Sequence, residues 1–107
     1  MDQQVDVVKF SVIVAAFNIE QYIQRALKSV EEQTFKNYEL LVVNDCSTDN
    51  TEEKILEYCN KYDNIKYLKH DKNKKLGTAR NTALNIAKGE YIIYLDGDDY
   101  LADEKVL

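Results

Sequence analysis

Three carboxylates stand within four residues at Asp96, Gly97, Asp98 and Asp99, directly after the apolar run YIIYL. Neighbouring carboxylates repel one another, so clustering them costs stability unless a cation or strong donors offset it. A divalent metal is the economical partner. The alternation of Asp96 and Asp98 lets two carboxylates converge on one ion or its water shell, and Gly97 keeps the turn between them free of a side chain. The competing reading is an acidic, glycine-containing turn that leaves a strand and caps the next helix, because Asp and Gly are ordinary turn residues; Asp99 fits that reading best.

Three further side chains have types suited to a planar, anionic ligand. Asp45 follows the apolar run ELLVVN and could accept an N–H from a base or a sugar, or could merely open the polar turn 45–49 that caps the next helix. Ser47, Thr48 and Asp49 are assigned to that cap. Phe17 is either a core aromatic or a platform for a flat base. Arg80, in Gly77–Thr78–Ala79–Arg80–Asn81, falls in the first turn of a helix beginning near Thr78, where a fixed cation and the helix N-terminus both favour an anion, or else it pairs with a surface acid. Lys69, Lys72, Lys74 and Lys75 form a solvated loop with no interleaved aromatics. The single His70 has no ligand-spaced partner and receives no role.

These residues need a frame. Residues 10–16 (FSVIVAA) form a short β-branched run, followed by a helical pattern in Ile19, Tyr22, Ile23, Ala26, Leu27 and Val30, with Asn18 in the N-cap position. Residues 39–44 form a second buried strand, and Ile55, Leu56, Cys59 and Tyr62 line one side of a second helix. Residues 65–68 are a short third strand. A third helix over about 78–88 turns Ala79, Ala83, Ile86 and Ala87 inward, residues 91–95 are a fourth buried strand, and 102–107 read as the start of a helix. Strands alternating with helices and no hairpin turns indicate a doubly wound α/β fold with a parallel sheet, in the order 3-2-1-4. Ligands of such sheets bind beyond the carboxyl ends of the strands. Phe17, Asp45, Asp96 and Asp98 all stand at those ends, so they are expected to line one crevice with Arg80.

A chain of 107 residues, 45% hydrophobic and 31% charged, suits one globular domain over 1–107. Its net charge of −5 argues against nucleic acid as a partner, since that affinity comes from Lys and Arg neutralising phosphates. An acidic site that binds a diphosphate instead needs a divalent cation between carboxylate and phosphate oxygens. Cys46 and Cys59 form no CxxC pair and read as free thiols of a reducing compartment. With no apolar run of about 20 residues and no basic, apolar leader over 1–9, the expected location is cytoplasmic, peripheral at most to the inner face of the membrane.

Taken in order, SVIVAAFN, VVNDCSTD, GTARN and YLDGDD resemble the N-terminal half of the family 2 glycosyltransferases, inverting enzymes of the GT-A fold. The resemblance spans nearly the whole chain and implies a Rossmann-like half-domain that binds a nucleotide-diphosphate sugar, usually a UDP-sugar, with Mg²⁺ or Mn²⁺ at the diphosphate. It implies that Phe17 stacks on the base, Asp45 hydrogen-bonds it and Arg80 contacts the nucleotide. It also implies that Asp98 approaches the metal while Asp96 lies near the ribose or the metal's water shell. Glu20 matches a frequent acidic position and receives no role. Asn44 stands where many members carry Asp, and Cys46 where Gly is common, so the loop beside the base is expected to differ in shape. The general base that activates a saccharide or lipid-linked acceptor is expected beyond Leu107, leaving the 107-residue chain inactive alone and prone to self-association along its fourth strand. Two other readings stand beside this one: an Asp-nucleophile phosphotransferase, and a non-catalytic nucleotide-binding α/β module without a Gly-x-Gly-x-x-Gly turn.

Overall fold

The computed structural model describes residues 8–107, so the reading of the first seven residues as free of a leader lies outside the described residues. The elements run β1 (Phe10–Ala16), α1 (Ile23–Glu31), β2 (Tyr38–Asn44), α2 (Thr51–Lys61), β3 (Ile65–Lys69), α3 (Lys75–Leu84) and β4 (Tyr91–Asp96). All pairings are parallel, and the sheet has four strands in the order β3-β2-β1-β4. The expected order is therefore the observed one. No helix of the described residues is long and apolar enough to cross a membrane.

The strand period of two sorts the apolar side chains onto two faces. Val12, Val14, Leu40 and Val42 pack against Ile23, Leu27 and Val30 of α1 and Ile55 of α2. Ile13, Ala15, Leu41 and Val43 meet Ala79 and Ala83 of α3 on the other side. Each fully buried Val, Leu or Ile contributes roughly 1.5–3 kcal/mol. β1 and β2 are covered on both faces, which is why their sequences are continuously apolar rather than alternating. β4 is an edge strand instead of a fully buried one: Leu95 is buried, whereas Tyr91 and Tyr94 are exposed.

Element ends depart from the sequence reading wherever backbone amides find partners outside their own helix. Asn18 does not cap α1. The Ile19 and Glu20 amides donate to Thr51 Oγ1 and Asp49 Oδ2, so a turn over 19–22 intervenes and the helix starts at Ile23. α3 begins three residues early because Asn73 Oδ1 accepts the Lys75 N–H. It also ends early: the Lys88 and Gly89 amides turn to Glu39 and Ser11, and Ile86 is left exposed. On α2 only Ile55 of the expected face is buried, with Cys59 half-buried and Leu56 and Tyr62 exposed. Residues 102–107 are turns, not a helix, their backbone held by the residues after α1: Gln33 Oε1 accepts the Leu107 N–H at 2.9 Å, and the Thr34 N–H and hydroxyl both donate to the Glu104 carbonyl.

Candidate functional site at the carboxyl ends of the strands

The loops leaving β1 and β2 are bonded to each other. Ser47 Oγ accepts the Asn18 N–H at 3.0 Å, and Asn18 Oδ1 accepts the Thr48 N–H at 2.8 Å. Of Ser47, Thr48 and Asp49, all assigned to the cap of α2, only Asp49 meets the helix, accepting the Thr51 N–H and hydroxyl and the Glu20 amide as well, while Ser47 and Thr48 bond Asn18 instead. Two residues here take left-handed backbone, Asn18 (φ 50°) and Cys46 (φ 64°). Asn tolerates this conformation, whereas Cys at such a position costs on the order of 1 kcal/mol that glycine avoids. Cys46 therefore keeps a glycine-like turn. Asn44, in place of an acid, is buried and faces inward, where its side-chain Nδ2 donates to Tyr67 Oη and its Oδ1 accepts the Ser47 N–H.

Asp45 is 1% exposed. Its Oδ1 accepts the Lys74 N–H at 2.8 Å and meets His70 Nδ1 at 2.9 Å, while Oδ2, equally buried, has no hydrogen-bond partner among the described residues. Burial pushes the carboxyl up, but the Lys74 amide and His70 outweigh it and hold the group below the ordinary carboxylate range. His70 corrects the sequence reading that gave it no role. It is buried, and its Nε2 lies 2.8 Å from Thr82 Oγ1 of α3. Parallel register carried the missing signal: Asn44 pairs with Lys69, so the next residue of each strand, Asp45 and His70, must be neighbours.

At the end of β4, Asp96 Oδ1 accepts Arg80 Nη2 at 2.6 Å. Arg80 thus sits in the second turn of α3, not the first, and meets the acid from its side chain rather than through the helix end. Asp99 behaves as a turn residue, its carboxylate accepting the Tyr100 N–H. Asp98 is exposed, and its carboxylate makes no hydrogen bond among the described residues; Arg25 Nη2 of α1 donates to its backbone carbonyl at 3.1 Å and stacks 4.4 Å from the Tyr100 ring centre. Gly97 is buried where a Cβ would run into the tip of Ile19 and come within 3.1 Å of the Ala15 carbonyl, so a side chain there requires Ile19 to swing aside and the backbone to give slightly.

Gly77, Arg80, Asn81, Tyr94, Asp96 and Asp99 line a hollow of about 560 Å³, and the loop after β1 flanks another of about 300 Å³ with Asp49. Phe17, Asp45 and Asp98 line neither, although Phe17 is 37% exposed and so is not a core aromatic. The structure thus joins Arg80 with Asp96 directly, and the five expected residues share the strand-end side without forming one enclosed cavity. A further hollow, of about 770 Å³, lies between α1 and residues 100–104. Among the described residues no three His, Cys, Asp or Glu side chains converge to hold a metal. Asp96 and Asp98 offer hard oxygen donors, the set that Mg²⁺ or Mn²⁺ accepts when phosphate oxygens and water complete its shell.

The family described as Glycosyl transferase family 2 matches residues 11–107. The chain is 44% identical over 89 residues to the Escherichia coli UDP-Glc:alpha-D-GlcNAc-diphosphoundecaprenol beta-1,3-glucosyltransferase WfgD, covering 83% of this chain and 34% of that protein. Among solved structures, Staphylococcus aureus TarS in complex with UDP superposes with a TM-score of 0.85 at 40% identity, over 92% of this chain and 29% of TarS. The mannosyltransferase PcManGT from Pyrobaculum calidifontis, in complex with GDP-Man and Mn²⁺, gives 0.84 at 25% identity, over 90% of this chain and 29% of its own. The chain spans between 11% and 34% of the length of the curated relatives it matches.

Proposed function

Because the chain belongs to glycosyl transferase family 2, we propose that it is the donor-binding part of an enzyme that moves a sugar from a nucleotide-diphosphate donor, a UDP-sugar, to an acceptor hydroxyl. One observation carries the reading: at the carboxyl edge of a parallel sheet, a buried carboxylate keeps one oxygen without a partner. Buried polar atoms are nearly always bonded, so an unpartnered acceptor beside a ligand-binding edge fits an incoming N–H, such as that of a uracil ring. Phe17, exposed one residue beyond β1, is assigned the face of the base.

Asp98 is assigned to a divalent metal, with Asp96 near the ribose or the metal's water shell. When bound, such an ion stabilises negative charge on a departing diphosphate. Arg80 holds Asp96 and supplies a fixed cation for the nucleotide, and Arg25 holds the turn that presents Asp98. Support for UDP and for the metal comes from the ligands of TarS and PcManGT, and support for a lipid-linked or saccharide acceptor from the description of WfgD. No described residue is assigned the role of general base.

Titration calorimetry with UDP, GDP and ADP, each with and without Mn²⁺, tests the proposal. UDP is expected to bind tightest and only with metal; preference for ADP, or metal-independent binding, refutes it. An Asp-nucleophile phosphotransferase would also trap phosphate covalently at Asp96.

A further inference from the structure

We propose that His70 is a positioning residue for base recognition: it fixes the Asp45 carboxylate so that Oδ2, and not Oδ1, faces the ligand. The inference rests on the reading of Asp45 as the group that meets the base. A carboxylate on a short side chain can rotate about its last torsion and present either oxygen, and such terminal torsions are broad and soft. Two donors remove that freedom. The Lys74 amide and His70 Nδ1 both converge on Oδ1, at 2.8 and 2.9 Å, and the ring is in turn pinned by Thr82 Oγ1 at 2.8 Å from its Nε2. Thr82 is itself anchored within α3 by its hydroxyl and the Thr78 carbonyl, 3.1 Å away.

The chain of contacts runs from α3 through one imidazole to the carboxylate. It spans the gap between the helix and the end of β2, so the orientation of Asp45 is set by the rigid sheet-and-helix frame rather than by the loop alone. His70 is 7% exposed and its own amide donates to the Asn44 carbonyl at 2.9 Å, which leaves the ring little room to turn. Nδ1 must carry a proton to serve a carboxylate acceptor, so the geometry selects forms of His70 protonated at that nitrogen.

The consequence is selectivity. Oδ2 held toward the ligand accepts the ring N3–H of uracil, which cytosine lacks, so a correctly held Asp45 discriminates UDP from CDP, while an Asp45 free to rotate discriminates less. A purely structural role for His70 would weaken both nucleotides alike. Calorimetry on the full chain with Mg²⁺ compares UDP and CDP in the parent, Asp45→Asn, His70→Asn and His70→Gln. The Asn amide replaces the Nδ1 donor and keeps the hold on Asp45, whereas the Gln amide reaches toward Thr82 and gives up that donor. His70→Gln is expected to lose on the order of tenfold in UDP-over-CDP preference, and His70→Asn to retain most of it. Equal preference in the two histidine variants overturns the inference while a loss in Asp45→Asn leaves the base-binding reading intact. An unchanged preference in Asp45→Asn removes both.

A measurement without substitution guards against a variant that fails to fold. The chain contains one histidine, so its Nδ1 proton can be assigned by ¹H–¹⁵N spectroscopy without ambiguity. Saturating UDP is expected to move that resonance, because a new donor on Oδ2 draws charge from the shared carboxylate, and CDP is expected to move it far less. Equal displacement by the two nucleotides, or none by UDP, refutes the assignment.

Discussion

Replacing Gly89 by Ala tests how the sheet's amino edge is held together. Gly89 donates its N–H to Ser11 Oγ at 2.7 Å, Ser11 Oγ donates to Glu39 Oε2 at 2.6 Å, and the Lys88 N–H reaches the same carboxylate oxygen at 2.6 Å. A Cβ built on Gly89 would collide with the Ser11 backbone nitrogen and lie 2.6 Å from the Phe10 carbonyl carbon and 2.7 Å from Ser11 Oγ. Two of these neighbours are strand backbone, which cannot swing aside, so the connection into β4 must move off β1. Overpacking of this kind costs about 1–3 kcal/mol. The same movement strips donors from a buried carboxylate, adding about 1–3 kcal/mol. Gly77 supplies the control: it lies in α3 with no atom within 4 Å of its notional Cβ. There Ala is expected to stabilise by about 0.5–1 kcal/mol, because glycine loses more backbone freedom on folding. Urea titrations of the two variants should therefore move their midpoints in opposite directions, Gly89→Ala downward by several times the gain in Gly77→Ala. A Gly89→Ala variant within about 0.5 kcal/mol of the parent, the range of an ordinary surface change, would show that the close approach is not a constraint.

Asp98→Ala is expected to reduce metal-dependent UDP affinity by about tenfold or more, as losses around metal centres do, while Lys74→Ala leaves it unchanged because Lys74 serves Asp45 through its backbone N–H; equal losses in calorimetry would contradict the assignment. Acid stability derives from the carboxylates whose folded pKa lies below the ordinary value. Burial raises that of Glu39, but Ser11, the Lys88 amide and Lys66 together overcome it and bring it below 4.5. Between the folded and unfolded values the unfolded chain binds more protons, so this stability is present above about pH 4.5 and lost as pH falls through the folded value. Glu39→Gln should flatten the dependence of urea midpoint on pH below 4.5, and an unchanged slope would count against the network. The outer edge of β4 pairs with nothing among the described residues and shows Tyr91 at 57% and Tyr94 at 49% exposure, so the 107-residue chain alone is expected to sediment partly as dimer at high concentration. A monomer throughout, unaffected by Tyr94→Lys, would be the refuting result.

The strand order and the placing of Phe17, Asp45, Asp96 and Asp98 at one side of the sheet were legible because apolar runs, strand ends and parallel connectivity are properties of local sequence. The features that escaped it have a common physical origin. The turn before α1, the early start and end of α3 and the non-helical tail all arise where a side chain outside the helix captures a backbone amide: Asp49 and Thr51, the adjacent Asn73, Glu39 with Ser11, and Gln33, the last helped by Thr34, which donates to the Glu104 carbonyl. Periodicity reports which face of a helix is apolar and is blind to which carbonyl or carboxylate claims its first and last amides. The same blindness hid His70. A lone histidine has no spacing to read, and its meaning appears only once the register of β2 and β3 sets it beside Asp45 and α3 brings Thr82 to its far nitrogen. Motif residues can thus be found from sequence, since each announces itself by type at a strand end. The residues that aim them come from other elements, and register reaches those that lie on a neighbouring strand: extending the β2–β3 pair by one residue past its end sets His70 beside Asp45, whereas the partners of Asp96 and Asp98, Arg80 and Arg25, come from helices whose placing no register gives.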